Sequence, residues 1–216
     1  LARIGALCKQ YDVIVVSDEI HCDLTKPGTE YIPFASVDDT CRDISVTCIA
    51  PTKTFNLAGL QTAAVYAENS ILHHRMWRQL NTDEVAEPNA FAIQATIAAF
   101  QYGEEWLDEL REYVEKNKQY VTEFLQEKIP LIHPVAGDAT YLMWLDCRKI
   151  TESGRQFVKF IRKTSGLYVS GGNQYGRGGE GFLRVNVATS KLVVEDGMQR
   201  LHESVDAWLK EEKISK

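Results

Sequence analysis

The sequence lacks a long hydrophobic run, an excess of basic residues and a paired arrangement of cysteines. No apolar stretch reaches the roughly 20 residues that a membrane-spanning helix needs, which argues against a membrane partner. The 30 acidic residues outnumber the 24 basic ones, and the net charge of -6 argues against nucleic acid as a partner. The five cysteines show no Cys-x-x-Cys spacing, so we expect free, mostly buried thiols and no metal site. This composition is typical of a soluble cytoplasmic protein.

Two apolar runs end beside candidate functional side chains. Val13 to Val16 is a β-branched run typical of a strand buried on both faces of a parallel sheet, and Asp18 falls just past its carboxyl end. A second predicted strand, Ile44 to Ile49, is followed within a short loop by Lys53. Because ligands of open α/β sheets bind at the carboxyl ends of the strands, Asp18 and Lys53 are expected to face one crevice.

This pair of side chains suits pyridoxal phosphate (PLP). A lysine amine condenses with the aldehyde of PLP, whose ring then withdraws electrons from the substrate carbon. A carboxylate against the ring nitrogen favours the protonated ring, so such a site needs one Lys and one Asp. Taken singly, Asp18 is more typical of a helix cap and Lys53 of a solvated charge. The PLP interpretation therefore depends on both residues and on the segments around them.

Three segments carry a family resemblance: Ser17 to Leu24 (SDEIHCDL), Ala50 to Gln61 (APTKTFNLAGLQ) and Gly181 to Ala188 (GFLRVNVA). They resemble the class I/II aminotransferases, which are fold type I PLP enzymes, and within them are most similar to the MalY/PatB-type cystathionine β-lyases. The resemblance runs from Leu1 to about Leu209. It implies an α/β fold in two parts. Residues 1–112 are the C-terminal part of a large PLP-binding domain with a mostly parallel sheet and helices on both faces, and residues 113–216 are a small α/β domain.

The resemblance also implies roles on the cofactor side. Lys53 is the lysine that holds PLP and carries the proton, and Asp18 pairs with the ring nitrogen. His21 lies where many relatives have a Tyr that hydrogen-bonds the phenolic oxygen of the ring. Ala50 and Gln61 stand where many relatives have a Ser and an Arg for the cofactor phosphate.

Thr52 and Thr54 supply hydroxyls on either side of Lys53, and Thr52 is the candidate contact to the phosphate. A Thr in a loop is more often a partner of the local backbone.

On the substrate side, Arg184 lies in an otherwise apolar predicted strand, Phe182 to Val187. A planar guanidinium matches a carboxylate, and the resemblance implies that Arg184 binds the α-carboxylate of an amino-acid substrate. The alternative is an edge-strand Arg that points at solvent. Asn186 shares the face of Arg184 by strand alternation and could steady the guanidinium or cap a loop.

Hydrophobic periodicity predicts the elements around these residues. In the first part we expect a helix that opens at Leu1, a strand from Thr62 to Ala67 paired with the strand before Lys53, a helix from Asn69 to about Leu80, a helix with Pro88 in its first turn that Gly103 ends, and a long helix from Glu104 to about Lys128. In the second part we expect strand Thr140 to Asp146, helix Gly154 to Thr164, strand Leu167 to Ser170 and helix Val193 to Leu209.

The glycine-rich run Gly171 to Gly179 precedes a strand and not a helix, which disfavours a phosphate-binding loop. We therefore predict a flexible active-site or substrate-entry loop. The resembled family forms homodimers and carries further cofactor residues ahead of the matched region, so this chain is expected to be the C-terminal part of a longer enzyme and inactive alone.

Two reactions share these residues. After Lys53 removes the α-proton of the substrate, loss of a sulfur leaving group gives β-elimination, whereas reprotonation at the cofactor carbon gives transamination. The segments are closer to the lyase group, which predicts a carbon-sulfur β-lyase that cleaves L-cystathionine or cysteine S-conjugates to a thiol, pyruvate and ammonia. A class I/II aminotransferase is the alternative, and a non-catalytic regulatory or interaction protein on the same scaffold also stays open.

Overall fold

The computed structural model describes residues 1–214, with side chains to residue 211. The chain divides into two compact units. Unit 1 is Leu1–Arg111, and unit 2 begins at Glu112. The long helix α6 (Glu104–Lys128) contains the boundary.

Unit 1 combines a small sheet with short and medium helices. Its elements ahead of α6 are α1 (Ala2–Gln10), β1 (Val15–Asp18), α2 (Asp39–Asp43), β2 (Ser45–Ile49), α3 (Pro51–Thr54), β3 (Ala64–Tyr66), α4 (Ser70–Thr82) and α5 (Ala92–Tyr102). The strand order is β1-β2-β3, in which β1 pairs parallel to β2 and β3 pairs antiparallel to β2. The predicted pairing of β3 with the strand before Lys53 is thus confirmed.

The first strand differs from its prediction. It covers Val15–Asp18, so Asp18 is its last residue and does not lie beyond it. Val13 does not join the sheet because its N–H donates to the carbonyl of Cys8 at the end of α1, at 2.8 Å. The expected burial on both faces is also wrong, because β1 is at the edge of the described sheet and Val16 is 67% exposed.

Of two predicted helix starts in unit 1, the one at Asn69 is confirmed and the one at Pro88 is wrong. The Asn69 side chain accepts hydrogen bonds from the N–H groups of Ile71 and Leu72, which caps α4 where a helix was predicted. Pro88, in contrast, lies ahead of α5 and not in its first turn. The Asn89 side chain accepts from the N–H of Phe91 at 3.0 Å, and this local turn delays the helix until Ala92.

Unit 2 is built around an antiparallel sheet of order β4-β5-β7-β6. Its elements after α6 are β4 (His133–Pro134), β5 (Leu142–Asp146), α7 (Gly154–Ser165), β6 (Ser170–Gly171), β7 (Phe182–Asn186) and α8 (Lys191–Ile214). The strand expected from Thr140 begins at Leu142 because Thr140 adopts a left-handed φ of 59°. The short strand expected over Leu167–Ser170 is shifted to Ser170–Gly171.

The core of unit 2 lies between the sheet and its helices. Alternate residues of β5 and β7 point into it, and α7 and α8 pack together. The fully buried side chains include Val121, Leu125, Leu145, Phe157, Ile161, Leu183 and Leu201. Ser153 caps α7 by accepting from the N–H of Gln156, and Gly166 ends it at a φ of 72°.

The glycine-rich run of unit 2 forms two successive 3-10 turns, Gly172–Tyr175 and Arg177–Gly179. Gly172 and Gly179 are buried against each other, and a Cβ on Gly179 would overlap the carbonyl oxygen of Gly172. Gly176, between the turns, has a φ of 113° that favours glycine. The glycines therefore close the base of a compact loop.

No helix among residues 1–214 is at once long and apolar enough to cross a membrane. All five cysteines are free, with Cys41 and Cys147 buried and the other three half-buried.

Candidate active site

The carboxyl ends of the neighbouring parallel strands β1 and β2 bring Asp18 and Lys53 to the same end of the unit 1 sheet. The parallel strands β1 and β2 stay paired up to Asp18, which lies opposite Cys48. The chain leaves β2 at Ile49 and turns at once into α3, which carries Lys53. Both side chains are exposed at this end. The carboxylate of Asp18 accepts from the N–H of Ile20 at 3.2 Å, which leaves its second oxygen available to another donor.

Lys53 lies in a single helical turn and not in the expected loop. Pro51 occupies the first position of α3, where its fixed φ suits a helix and its missing N–H is not needed. Pro51, Thr52 and Thr54 are buried, whereas Lys53 is exposed. Burial of its neighbours therefore fixes the direction in which Lys53 leaves the turn. Thr52 lies on the buried side, and Ala50 precedes the turn without a side-chain cap.

A hydrogen bond joins the Lys53 turn to the segment that follows Asp18. The hydroxyl of Thr54, whose side chain is fully buried, donates to Asp23 Oδ2 at 2.9 Å. On the other side of that segment, Arg111 donates from Nε to the carbonyl of Thr25 and from Nη2 to its hydroxyl, both at 2.9 Å. The segment between Asp18 and Thr25 is thus fixed by hydrogen bonds from Thr54 and from Arg111, and the first of these links it to the Lys53 turn.

Glu19, next to Asp18, is a buried carboxylate. It accepts from the Ser17 hydroxyl at 2.9 Å and from the N–H of Phe34 at 3.1 Å. Burial, followed by the charge of Glu19, raises the pKa of Tyr31 to about 12. A buried carboxylate requires such donors, and here they fix the backbone beside Asp18.

His21 lies half-buried three residues after Asp18, in the turn that follows β1. Its carbonyl accepts from the N–H of Leu24 at 3.0 Å. The adjacent thiol of Cys22 is held protonated, because burial and then Asp23 raise its pKa to about 11. Burial and then the charge of Asp18 also raise the pKa of Cys48. The predicted phenolic-oxygen role of His21 stays a prediction.

In unit 2, Arg184 lies on the inner strand β7, between β5 and β6. It is not the edge-strand Arg of the alternative interpretation. It lies opposite Trp144 on β5 and opposite Ser170 on β6, and its guanidinium carbon is 4.5 Å from the ring centroid of Tyr175. In residues 1–211 no carboxylate forms an ion pair with Arg184, so its N–H donors are available to a ligand carboxylate.

Asn186 lies on the same face of β7 as Arg184, as strand alternation predicts. Its side chain accepts from the N–H of Ala188 at 2.8 Å, so in this conformation it caps the loop after β7. Of the six predicted site residues, four lie in unit 1 and two, Arg184 and Asn186, in unit 2. The polar residues that sequence reasoning missed are Glu19, Asp23 and Tyr175. The first two lie inside the segments that carry the resemblance, which was the available signal.

The fold is that of PLP-dependent C-S lyases and aminotransferases. Cystalysin from Treponema denticola, solved with pyridoxal 5'-phosphate, superposes with a TM-score of 0.91 at 27% identity over 95% of this chain and 52% of that one. A PLP-bound putative aminotransferase from Clostridium difficile 630 gives a TM-score of 0.91 at 29% identity, over 94% of this chain and 53% of that one.

The family follows from the sequence as a whole. Residues 1–201 match the family model for aminotransferases of class I and II, and the chain belongs to this family. It is 40% identical to cystathionine beta-lyase PatB from Bacillus subtilis, over 93% of this chain and 52% of PatB. It is 30% identical to protein MalY from Escherichia coli, over 96% of this chain and 53% of MalY. The chain thus spans about half the length of the curated relatives it matches.

Proposed function

We propose that this chain supplies the lysine and the ring-nitrogen carboxylate of a PLP-dependent carbon-sulfur β-lyase that acts on L-cystathionine or a related cysteine S-conjugate. One observation carries the proposal. Asp18 ends β1 and Lys53 follows β2, so both lie at the carboxyl ends of two adjacent parallel strands. The chain that carries them is 40% identical to a cystathionine beta-lyase.

The described residues fit PLP by their donor chemistry. An exposed ammonium on a rigid turn and an exposed carboxylate on a strand end are the two groups that the aldehyde and the ring nitrogen of PLP require. When bound, PLP supplies an electron sink for the substrate carbon. Thr52 and His21 are the proposed additional contacts. Lys53 would hold the cofactor, and Asp18 would keep the ring nitrogen protonated.

The remaining steps belong to side chains of this chain. Lys53 would remove the α-proton of the substrate, because its short turn presents the amine at this end of the sheet while its neighbours stay fixed. Arg184 would bind the α-carboxylate through two parallel N–H donors. Asn186, beside it on β7, would hold the loop that follows. The products of β-elimination are a thiol, pyruvate and ammonia.

The test is pyruvate release from L-cystathionine by the full-length protein without an added keto acid. The lyase proposal predicts pyruvate and a thiol in equal amounts. A strict requirement for a keto acid acceptor would instead identify an aminotransferase, the second candidate, which the likeness to a putative aminotransferase at 29% identity favours.

A non-catalytic regulatory protein on the same scaffold is the third possibility. It has no need for Lys53, Asp18 and Arg184 together, and their joint presence supports the enzyme. Visible cofactor absorbance after purification separates the two, because a scaffold without a functional site carries none.

A homodimer and a cytoplasmic location belong to the same proposal. Exposed apolar side chains in unit 1, such as Phe91, Ile97 and Phe100, support a covered surface. Sedimentation of the full-length protein tests the dimer, and cell fractionation tests the location.

A further inference from the structure

Arg184 is held by an aromatic ring and not by a counter-charge. Its guanidinium carbon lies 4.5 Å from the Tyr175 ring centroid, well inside the range of about 6 Å for a cation–π contact. In residues 1–211 no acceptor receives a hydrogen bond from the Arg184 guanidinium, so the ring contact leaves its N–H donors unused. Such a contact restrains Arg184 without competing for the carboxylate that it is proposed to bind.

Tyr175 is itself seated on a small aromatic cluster. Its ring meets Trp144 edge to face, with centroids 5.6 Å apart and planes at 69°. Trp144 in turn stacks on Phe182, with centroids 5.6 Å apart and planes at 19°. Since Trp144 lies opposite Arg184 across the β5–β7 pair, the cluster covers the face of the sheet from which Arg184 projects.

The glycine-rich loop places Tyr175 at this position. Tyr175 ends the first 3-10 turn, and Gly176 follows it at a φ of 113° that favours glycine. The contact between Gly172 and Gly179 closes the loop at its base. No residue larger than glycine fits this contact, because a Cβ on either glycine would overlap the other's carbonyl oxygen. The run thus has a structural purpose other than phosphate binding.

We propose that Tyr175 is a positioning residue for Arg184, and that the loop Gly171–Gly181 fixes the position of Tyr175. This inference rests on the proposed function, since it assigns to Arg184 the substrate carboxylate. Tyr175 restricts the guanidinium to one orientation before substrate arrives, which lowers the entropy cost of binding. The effect concerns recognition of the substrate carboxylate and not proton transfer at Lys53.

A direct test reads the Nε–Hε resonance of Arg184 by NMR in the full-length protein. The ring of Tyr175 should shift this proton upfield. Tyr175→Leu removes the ring and should abolish the shift, and Tyr175→Phe should restore it. Tyr168→Leu is the matched control, because Tyr168 forms the same kind of contact with Arg162, at 5.0 Å. It should move the Arg162 resonance only. An Arg184 resonance that is the same in wild type and Tyr175→Leu overturns the proposal.

The functional test uses the full-length enzyme. Tyr175→Leu should raise KM for L-cystathionine about three- to tenfold with a smaller change in kcat, as expected for loss of one partly exposed cation–π contact. Tyr175→Phe should rescue KM, and urea unfolding of each variant identifies a general loss of folding. A fall in kcat at unchanged KM, in a variant as stable as wild type, contradicts a positioning role.

Failure of this inference can be separated from failure of the proposed function. If the wild-type enzyme releases no pyruvate, the lyase assignment fails. The Arg184 resonance can then be titrated with succinate. Weaker succinate binding in Tyr175→Leu than in wild type and Tyr175→Phe supports the positioning role. Equal binding in all three overturns it.

Discussion

The two units differ in how completely they bury their apolar side chains. Unit 2 contains most of the fully buried large residues, and its antiparallel sheet is covered by helices on the face that Leu145 and Leu183 share. Unit 1 carries most of the exposed large apolar residues, which include Val13, Ile14, Val16, Ile71, Trp77, Phe91, Ile93, Ile97, Phe100 and Tyr102. Unit 2 therefore has a well-buried core, whereas unit 1 presents a large exposed apolar surface.

The proposed cofactor residues and the proposed carboxylate site are therefore held in place in different ways. The proposed cofactor residues lie in unit 1 and are held by local polar contacts, such as Thr54 to Asp23 and Glu19 to Phe34. The proposed carboxylate site lies in unit 2, on a strand that the core fixes from behind. Each unit thus predicts a different response to substitution.

The largest expected effect separates the two proposed sites. Lys53→Ala in unit 1 should abolish pyruvate release and the visible absorbance of the imine between Lys53 and PLP, because alanine offers no amine to the aldehyde. Arg184→Lys in unit 2 keeps a charge but loses the two-pronged geometry, so it should raise KM and leave the absorbance unchanged. Absorbance spectra and steady-state kinetics check both. Equal loss of absorbance in the two variants would contradict the division.

A smaller effect compares two strand valines. Val185→Ala on β7 removes a side chain that is 8% exposed, and should lower the free energy of unfolding by about 2 kcal/mol. Val16→Ala on β1 removes one that is 67% exposed, and should change it by less than about 0.5 kcal/mol. Urea unfolding of the chain measures both. If Val16→Ala lowers the free energy of unfolding by more than about 0.5 kcal/mol, β1 is covered in solution.

Removal of the Thr54 hydroxyl should lower the local stability of the Lys53 turn modestly. Thr54→Val keeps the shape but leaves the Asp23 carboxylate without this donor, at a cost of about 1 kcal/mol. Thr54→Ser keeps the hydroxyl and is the matched control. Hydrogen exchange at the amides of α3 reads the local change. If Val and Ser variants exchange alike, the hydrogen bond does not hold the Lys53 turn.

The smallest expected effect is a pH dependence in unit 2. The hydrogen bond and charge of Arg148 lower the pKa of Asp146 from 3.8 to about 2. Because the folded pKa is depressed, this pair stabilises the protein above pH 3.8, and the contribution is lost as the pH falls through about 2. Asp146→Asn should flatten this part of the stability profile in urea unfolding, and Asp138→Asn, for which no hydrogen bond is found in residues 1–211, should not.

The sequence predicted the elements that depend on local pattern. The helix expected from Glu104 to about Lys128 is α6, and β2 and α7 lie within one residue of their predicted bounds. Periodicity and caps decide these elements, and both are written in the chain itself. The placement of Asp18 and Lys53 at the carboxyl ends of two strands also followed from the apolar runs that precede them.

The rest depends on particular hydrogen bonds and ring contacts that hydrophobic periodicity does not specify. β1 is displaced because Val13 bonds to Cys8, and Pro88 lies outside α5 because Asn89 forms its own turn. Tyr175 was not predicted to face Arg184, since only the folded loop brings the two together. Sequence pattern indicates which faces are buried, but it does not identify the partner across a fold.

The most direct test of the central claim is to load the full-length protein with PLP, reduce it with borohydride and map the labelled peptide by mass spectrometry. The account predicts a single label on Lys53. A label on another lysine, or none on a protein that cleaves L-cystathionine, would contradict it.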